Sequence, residues 1–232
     1  MICHQYRCIF VHVPKVAGTS IARFLDRSRP HVPPSDPPFD PDDDNKFQPP
    51  PPHLRAVDYI RYGLATREQF DSYFKFAFVR NPFARLVSEY RYRLLARKYD
   101  FNTWVLREFP RPAWNDQYCH VLPQYDFVHD QDGRLLVDFL GRFENLTHDF
   151  QQVCRRLRLP SEVLPRINSS SNFLRRHHDH GWVDVVKALV SQFSLRKWRN
   201  TYASYRDYYN AETRSLVAEL YRKDLETFGY EF

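Results

Sequence analysis

The sequence predicts an α/β fold in which helices flank a mainly parallel central sheet, and three observations carry that expectation. Two apolar runs, residues 9–13 and 74–79, each pass through a sharp turn into a helical pattern. Strand and helix patterns alternate from there on. No shift in composition divides the 232 residues into halves that could each bury a core, so the chain reads as a single domain over 1–232.

Taken in order, residues 9–13 supply a buried strand and Pro14 ends it. A helix follows from Gly18, Thr19 and Ser20 to Arg27, with Ile21, Phe24 and Leu25 on one face. Residues 28–52 hold ten of the seventeen prolines, a density that neither a helix nor a central strand survives, and are expected to form a long Pro/Asp-rich surface loop. Helical patterns cover 53–62 and 66–73. Residues 74–80 form the second buried strand, Asn81 caps the next helix and Pro82 begins it, and that helix is expected to run to about Lys98.

Another helix spans 101–109 and stops at Pro110 and Pro112. Residues 125–129 and 135–140 flank Asp130-Gln-Asp-Gly133 and read as a hairpin with glycine in its turn. Helical spacing returns over 145–157. A last helix, 211–228, places Leu216, Leu220, Tyr221, Leu225 and Phe228 on one stripe, and Gly229 is its stop signal.

The net charge is +6, but residues 28–53 carry five aspartates against Arg29 and Lys46, a local −3 that leaves +9 on the rest. Such a basic body favours anionic partners: nucleotide phosphates, acidic glycans or nucleic acid. Cys3, Cys8, Cys119 and Cys154 show no C-x-x-C spacing, so neither a zinc ribbon nor a redox motif is indicated and buried reduced thiols are expected. No apolar run is long enough to span a membrane, and no basic-then-apolar signal region precedes the first strand. A soluble chain is expected, unless it is the trimmed part of a longer protein.

In an open parallel sheet, ligands collect beyond the carboxyl ends of the strands, and Lys15 and Arg80 both stand at such ends. The free N–H groups at the start of the first helix, the Lys15 ammonium and the hydroxyls of Thr19 and Ser20 suit an anion. This turn lacks the G-K-[ST] core of a Walker A loop, which weakens a nucleotide-dependent phosphotransferase of the P-loop type. Ser88 lies two helical turns beyond Asn81 and so shares a side with the helix start, where Arg80 and Ser88 could grip one phosphate.

Pro14-Lys-Val-Ala-Gly-Thr-Ser20 resembles the 5'-phosphosulfate motif of sulfotransferases that use 3'-phosphoadenosine 5'-phosphosulfate (PAPS), and Val79-Arg-Asn-Pro-x-x-Arg-Leu-Val-Ser88 resembles their 3'-phosphate motif. Asp138-Phe-Leu-Gly-Arg-Phe-Glu-Asn-Leu146, Tyr205-Arg-Asp-Tyr-Tyr209 and residues 224–232 resemble segments of the carbohydrate branch. Ala17 departs from the pattern, which often has glycine there. The resemblance implies the P-loop-like sulfotransferase fold and transfer of a sulfuryl group from PAPS to an acceptor hydroxyl, with an amine as the lesser alternative and no metal. It implies that Lys15 stabilises the bridging oxygen, that Val16, Ala17, Gly18, Thr19 and Ser20 cradle the 5'-phosphate, and that Arg80 and Ser88 hold the 3'-phosphate. Asn168, Ser169 and Ser170 resemble a segment that approaches the cofactor.

The related glycan sulfotransferases use a histidine or a glutamate as base, relatives with this arrangement often place a histidine just ahead of the segment leading into the second motif, and His53 occupies that position; an exposed loop residue behind four prolines is the other reading. His12 reads as a core histidine, and Arg142 with Glu144 as structural. Arg175 and Arg176 fit an anionic acceptor, the 3'-phosphate or a solvated charge pair. His177-His-Asp-His180 is the one metal candidate and lacks helical i, i+4 pairing, so no metal is expected. The acceptor implied is an oligosaccharide or glycan, with a lipid-linked sugar or small metabolite open. A basic module binding glycan or nucleic acid through Arg91 to Tyr99 is the non-enzymatic alternative, and a helix with Leu and Tyr packed inward explains that segment better. The location expected is cytoplasmic, or the Golgi lumen for a trimmed chain; the oligomeric state is not readable.

Overall fold

A computed structural model of the chain describes residues 1–27, 53–111, 116–159 and 203–232. The Pro/Asp-rich segment 28–52 lies outside these residues. Four strands, β1 (Ile2–Cys3), β2 (Cys8–Val11), β3 (Phe74–Val79) and β4 (Phe139–Arg142), form one sheet in that order. β2, β3 and β4 are parallel, with Phe10 opposite Phe76 and Phe76 opposite Phe139, while β1 turns back antiparallel to set Cys3 opposite Cys8. The mainly parallel α/β architecture expected from the sequence is therefore present. β2 stops at Val11 rather than residue 13 because the Val13 N–H closes on the Val11 carbonyl at 3.1 Å and bends the chain.

α1 (Gly18–Arg27) buries Ile21, Phe24 and Leu25 as its spacing requires. The helix expected over 53–62 shrinks to α2 (Asp58–Arg61), since Ala56 donates to the Phe127 carbonyl at 2.8 Å and holds residues 53–56 extended beside the core. α3 (Arg67–Ser72) opens with a Thr66/Gln69 capping box. α4 (Pro82–Tyr92) starts as expected, with the Asn81 side chain accepting from the Phe83 and Ala84 N–H groups. It ends six residues early: Leu94 takes a left-handed φ of 54°, and the Tyr90 hydroxyl, donating to the Tyr99 carbonyl at 2.6 Å, folds the chain back against the helix.

After α5 (Phe101–Arg107) and α6 (Asp116–Val121), the expected hairpin is only half right. Gly133 makes the turn at φ 80°, and His129 bridges Leu135, but Tyr125–Val128 is helix α7. The buried Asp224 carboxylate forces this by accepting from the Gln124 and Tyr125 N–H groups at 3.0 and 2.8 Å, a cap that favours helix over strand. α8 (Leu146–Leu157) matches its expectation. The terminal helix breaks at Tyr221 into α9 (Ala211–Leu220) and α10 (Arg222–Phe228), and Gly229 ends it at φ 62°.

The buried stripe there is Thr213, Val217, Tyr221, Asp224 and Phe228, while Leu216 and Leu220 are 36% and 42% exposed. Tyr221 and Phe228 are buried as expected, and hydropathy missed Thr213 and Asp224 because they are buried through hydrogen bonds to Asn102 and to Gln124. Two apolar clusters result. One joins Phe10, Phe76 and Phe78 of the sheet to Ile21 of α1 and Phe150 of α8; the other joins Phe83, Tyr90, Phe101, Trp104, Val217 and Tyr221. All four cysteines are buried, as expected.

Candidate active site

The turns after β2, β3 and β4 meet at one end of the sheet, and they bring the two motifs into contact. The Arg80 guanidinium donates from Nη1 to the Lys15 carbonyl at 3.3 Å, across 65 residues of sequence. Arg80 also stacks over the Phe143 ring at 4.2 Å, at the end of β4. Its backbone is fixed by Gln124, which accepts from the Arg80 N–H at 2.9 Å and donates to the Arg80 carbonyl at 2.8 Å. Arg80 borders a cavity of about 420 Å³ whose walls include Ala84, Phe143, Tyr205 and Tyr230.

The first turn is strained at the positions the sequence singled out. Lys15 and Ala17 hold φ of 70° and 67°, a left-handed conformation that costs an L-residue about 1–2 kcal/mol. A glycine is free of that cost, which is the physical reason the position of Ala17 suits one. The Val16 side chain is fully buried in the core, so only its backbone can face a ligand. Ser20 donates its N–H to the Ala17 carbonyl at 2.9 Å, whereas the Gly18 and Thr19 N–H groups have no hydrogen-bond partner among the described residues. Gly18 leaves room for His12: a Cβ there would stand 1.7 Å from His12 Nε2.

Burial lowers the Lys15 ammonium to about 8, with Glu89 pulling it up and Arg80 and Arg93 pushing it further down. Burial likewise brings Arg80 down to about 10, against the opposing pull of Glu144. Both cations are poorly solvated, an electrostatic condition that favours a bound anion. Ser88 is half-buried on α4, and no hydrogen bond joins it to Arg80.

His53 is 8% exposed, which removes the exposed-loop reading. Its Nδ1–H donates to the His12 carbonyl at 3.1 Å, so the lone pair resides on Nε2. Three imidazoles pack together here: His53 lies 4.5 Å from His12 and 4.7 Å from His120 between ring centroids. His12 is buried, as expected, but it walls this site rather than the interior of the core. Burial, then the nearby His53, lowers its pKa well below the usual imidazole range.

Sequence reading missed Glu89, His120, Tyr92 and Gln124. Glu89 is one residue past Ser88, and its partner His120 is 31 residues on, so no local spacing announces the pair. His120 Nδ1–H donates to Glu89 Oε2 at 2.8 Å, the same oxygen stands 3.9 Å from Lys15 Nζ, and Arg93 binds the other oxygen. The Lys15 ammonium also sits 3.5 Å above the Tyr92 ring.

Arg85, in the second motif, has a different place. Its guanidinium is fully buried and donates to the His120 and Leu122 carbonyls at 3.0 and 2.7 Å, holding the end of α6. Glu144 accepts from the Asn81 N–H and from the Tyr230 hydroxyl, and Arg142 donates to the Phe228 carbonyl, both structural ties. No group of three His, Cys, Asp or Glu among the described residues is placed to hold a metal. Ser169, with Asn168, Ser170, Arg175, Arg176 and the His177–His180 segment, lies outside the described residues. No helix among the described residues is long and apolar enough to cross a membrane.

A family model described as "Sulfotransferase family" matches residues 1–231 of the chain. An uncharacterized protein of Archaeoglobus fulgidus is 35% identical over 108 residues, 46% of this chain and 85% of that protein. No solved structure gives a significant match.

Proposed function

The chain belongs to the sulfotransferase family, and on that premise we propose that its one domain moves a sulfuryl group from PAPS to a hydroxyl of a carbohydrate acceptor. The observation that carries the reading is the Arg80–Lys15 contact, which joins two anion-seeking motifs at the carboxyl end of a parallel sheet. The residues fit a donor with two phosphate groups. The unpaired Gly18 and Thr19 N–H groups and the Lys15 ammonium suit the 5'-side, with Val16, Ala17 and Ser20 shaping the turn, and Arg80 with Ser88 suits the 3'-phosphate.

PAPS supplies an activated sulfuryl group on a phosphate leaving group. On this reading Lys15 neutralises the charge growing on the bridging oxygen. His53 Nε2 takes the acceptor proton as the acceptor oxygen bonds to sulfur, and the electron pair of the broken S–O bond goes to the phosphate. The cavity beside Arg80, with Phe143, Tyr205 and Tyr230 in its walls, suits a planar purine.

Two measurements test this. Calorimetry should detect adenosine 3',5'-bisphosphate and not magnesium ATP. Transfer of label from [35S]PAPS should then be found with at least one member of a panel of neutral and acidic oligosaccharides, a lipid-linked sugar and small hydroxyl compounds. Binding of magnesium ATP alone would favour phosphoryl transfer, and tight, steeply salt-dependent oligonucleotide binding alone would favour a basic module.

A further inference from the structure

Glu89 is where the two sides of this site meet. Its side chain is 2% exposed, and from there one oxygen reaches the His120 ring of α6 and the Lys15 ammonium of the first turn while Arg93 of its own helix holds the other. His120 stands edge to face against His53, at 86° between rings, and stacks on Tyr92 on its other side. His53 is faced in turn by His12 from the end of β2. We propose that Glu89 is a positioning residue for the base: it holds His120 through the Nδ1 proton against His53 and places its own carboxylate charge behind that ring.

The inference rests on the sulfuryl-transfer reading above and assigns this chain's own residues within it. Burying a carboxylate is costly, and an apolar side chain would serve α4 packing better if packing were its only task. Burial alone would push the Glu89 carboxyl up, but the hydrogen bond from His120 and the charges of His120, Lys15 and Arg93 outweigh it and keep the group ionised. In the transfer step, the acceptor proton moves to His53 Nε2, the new O–S bond forms, and the old S–O electron pair leaves with the phosphate beside Lys15. Glu89 takes no proton. It bears on the imidazolium being formed through His120, which it orients as carboxylates commonly orient histidines, and its same oxygen stands 3.9 Å from the Lys15 ammonium.

The test uses Glu89→Gln, which keeps the shape and removes the charge. Two-bond 1H–15N spectra of the protein without donor, with the His53 signals assigned from a His53→Asn variant, read the His53 titration midpoint directly. Removing a nearby negative charge disfavours the imidazolium, so the midpoint should fall by about half a unit or more. The acidic limb of kcat/KM should move to lower pH with it, and kcat should drop at least about tenfold. A wild-type midpoint with wild-type kcat overturns the proposal.

His120→Asn keeps an amide donor for Glu89 but no ring against His53, and decides the question should Glu89→Gln fail to fold. A moved midpoint with at least a tenfold loss of kcat supports the proposal, and an unchanged midpoint and kcat overturn it. Wild-type protein that binds no adenosine bisphosphate and transfers no sulfur overturns the sulfuryl reading, whereas the His53 midpoint is read without donor and judges Glu89 separately.

Discussion

His53 donates its Nδ1 proton to the His12 carbonyl at 3.1 Å, which fixes one imidazole tautomer beside the first motif. The ring atom left with a lone pair is the one a proton acceptor needs. His53→Ala should therefore lower kcat by about 10²–10⁴-fold. Affinity for adenosine 3',5'-bisphosphate, measured by calorimetry, should stay within about twofold, and retention of full turnover would remove His53 from the base role.

Lys15 carries a consequence for pH. Its ammonium titrates near 8, because burial outweighs the attraction of Glu89. An anion bound beside it restores the charged form, so binding near pH 8 should take up a proton, and affinity for adenosine bisphosphate should fall as pH rises from 7 to 9.5. Calorimetry in buffers of different ionisation enthalpy measures both. A guanidinium stays charged over that range, so Lys15→Arg should flatten the profile, and a wild-type affinity independent of pH would contradict the assignment.

Gly18→Ala would drive a methyl group to 1.7 Å from His12 Nε2. The ring must move, and it packs 4.5 Å from the His53 ring. The substitution should cost about 1–3 kcal/mol of stability in denaturant unfolding. Turnover should fall by more than the stability loss explains, which activity at a temperature well below the transition would show.

Ala17→Gly should act in the opposite direction. The position holds φ 67°, and relief of left-handed strain exceeds the extra entropy glycine gives the unfolded chain. A gain of about 0.5–1 kcal/mol is expected from chemical denaturation. A loss would mean that the Ala17 methyl group makes contacts worth more than the strain.

Much of this arrangement was legible in the sequence, because strands, caps and phosphate-seeking turns are written in neighbouring residues. The runs before Lys15 and Arg80, the Asn81–Pro82 helix start and the Gly229 stop all depend on positions within one or two turns of each other. What escaped depends on distant partners. Asp224 turned an expected strand into α7 by capping it from about 100 residues away, and it takes a buried place beside the expected Tyr221 and Phe228. Arg85 looked like one more motif cation, yet its acceptors are backbone carbonyls 35 and 37 residues on. Glu89 and His120 carry no signature apart from each other.

The two-residue strand β1 has a bearing on self-association. A parallel sheet ends on a strand whose outer N–H and C=O groups invite pairing with another copy, and β2, with all four of its residues buried, would be a sticky flank if bare. By pairing antiparallel beside β2, β1 covers that flank with a strand of only two residues.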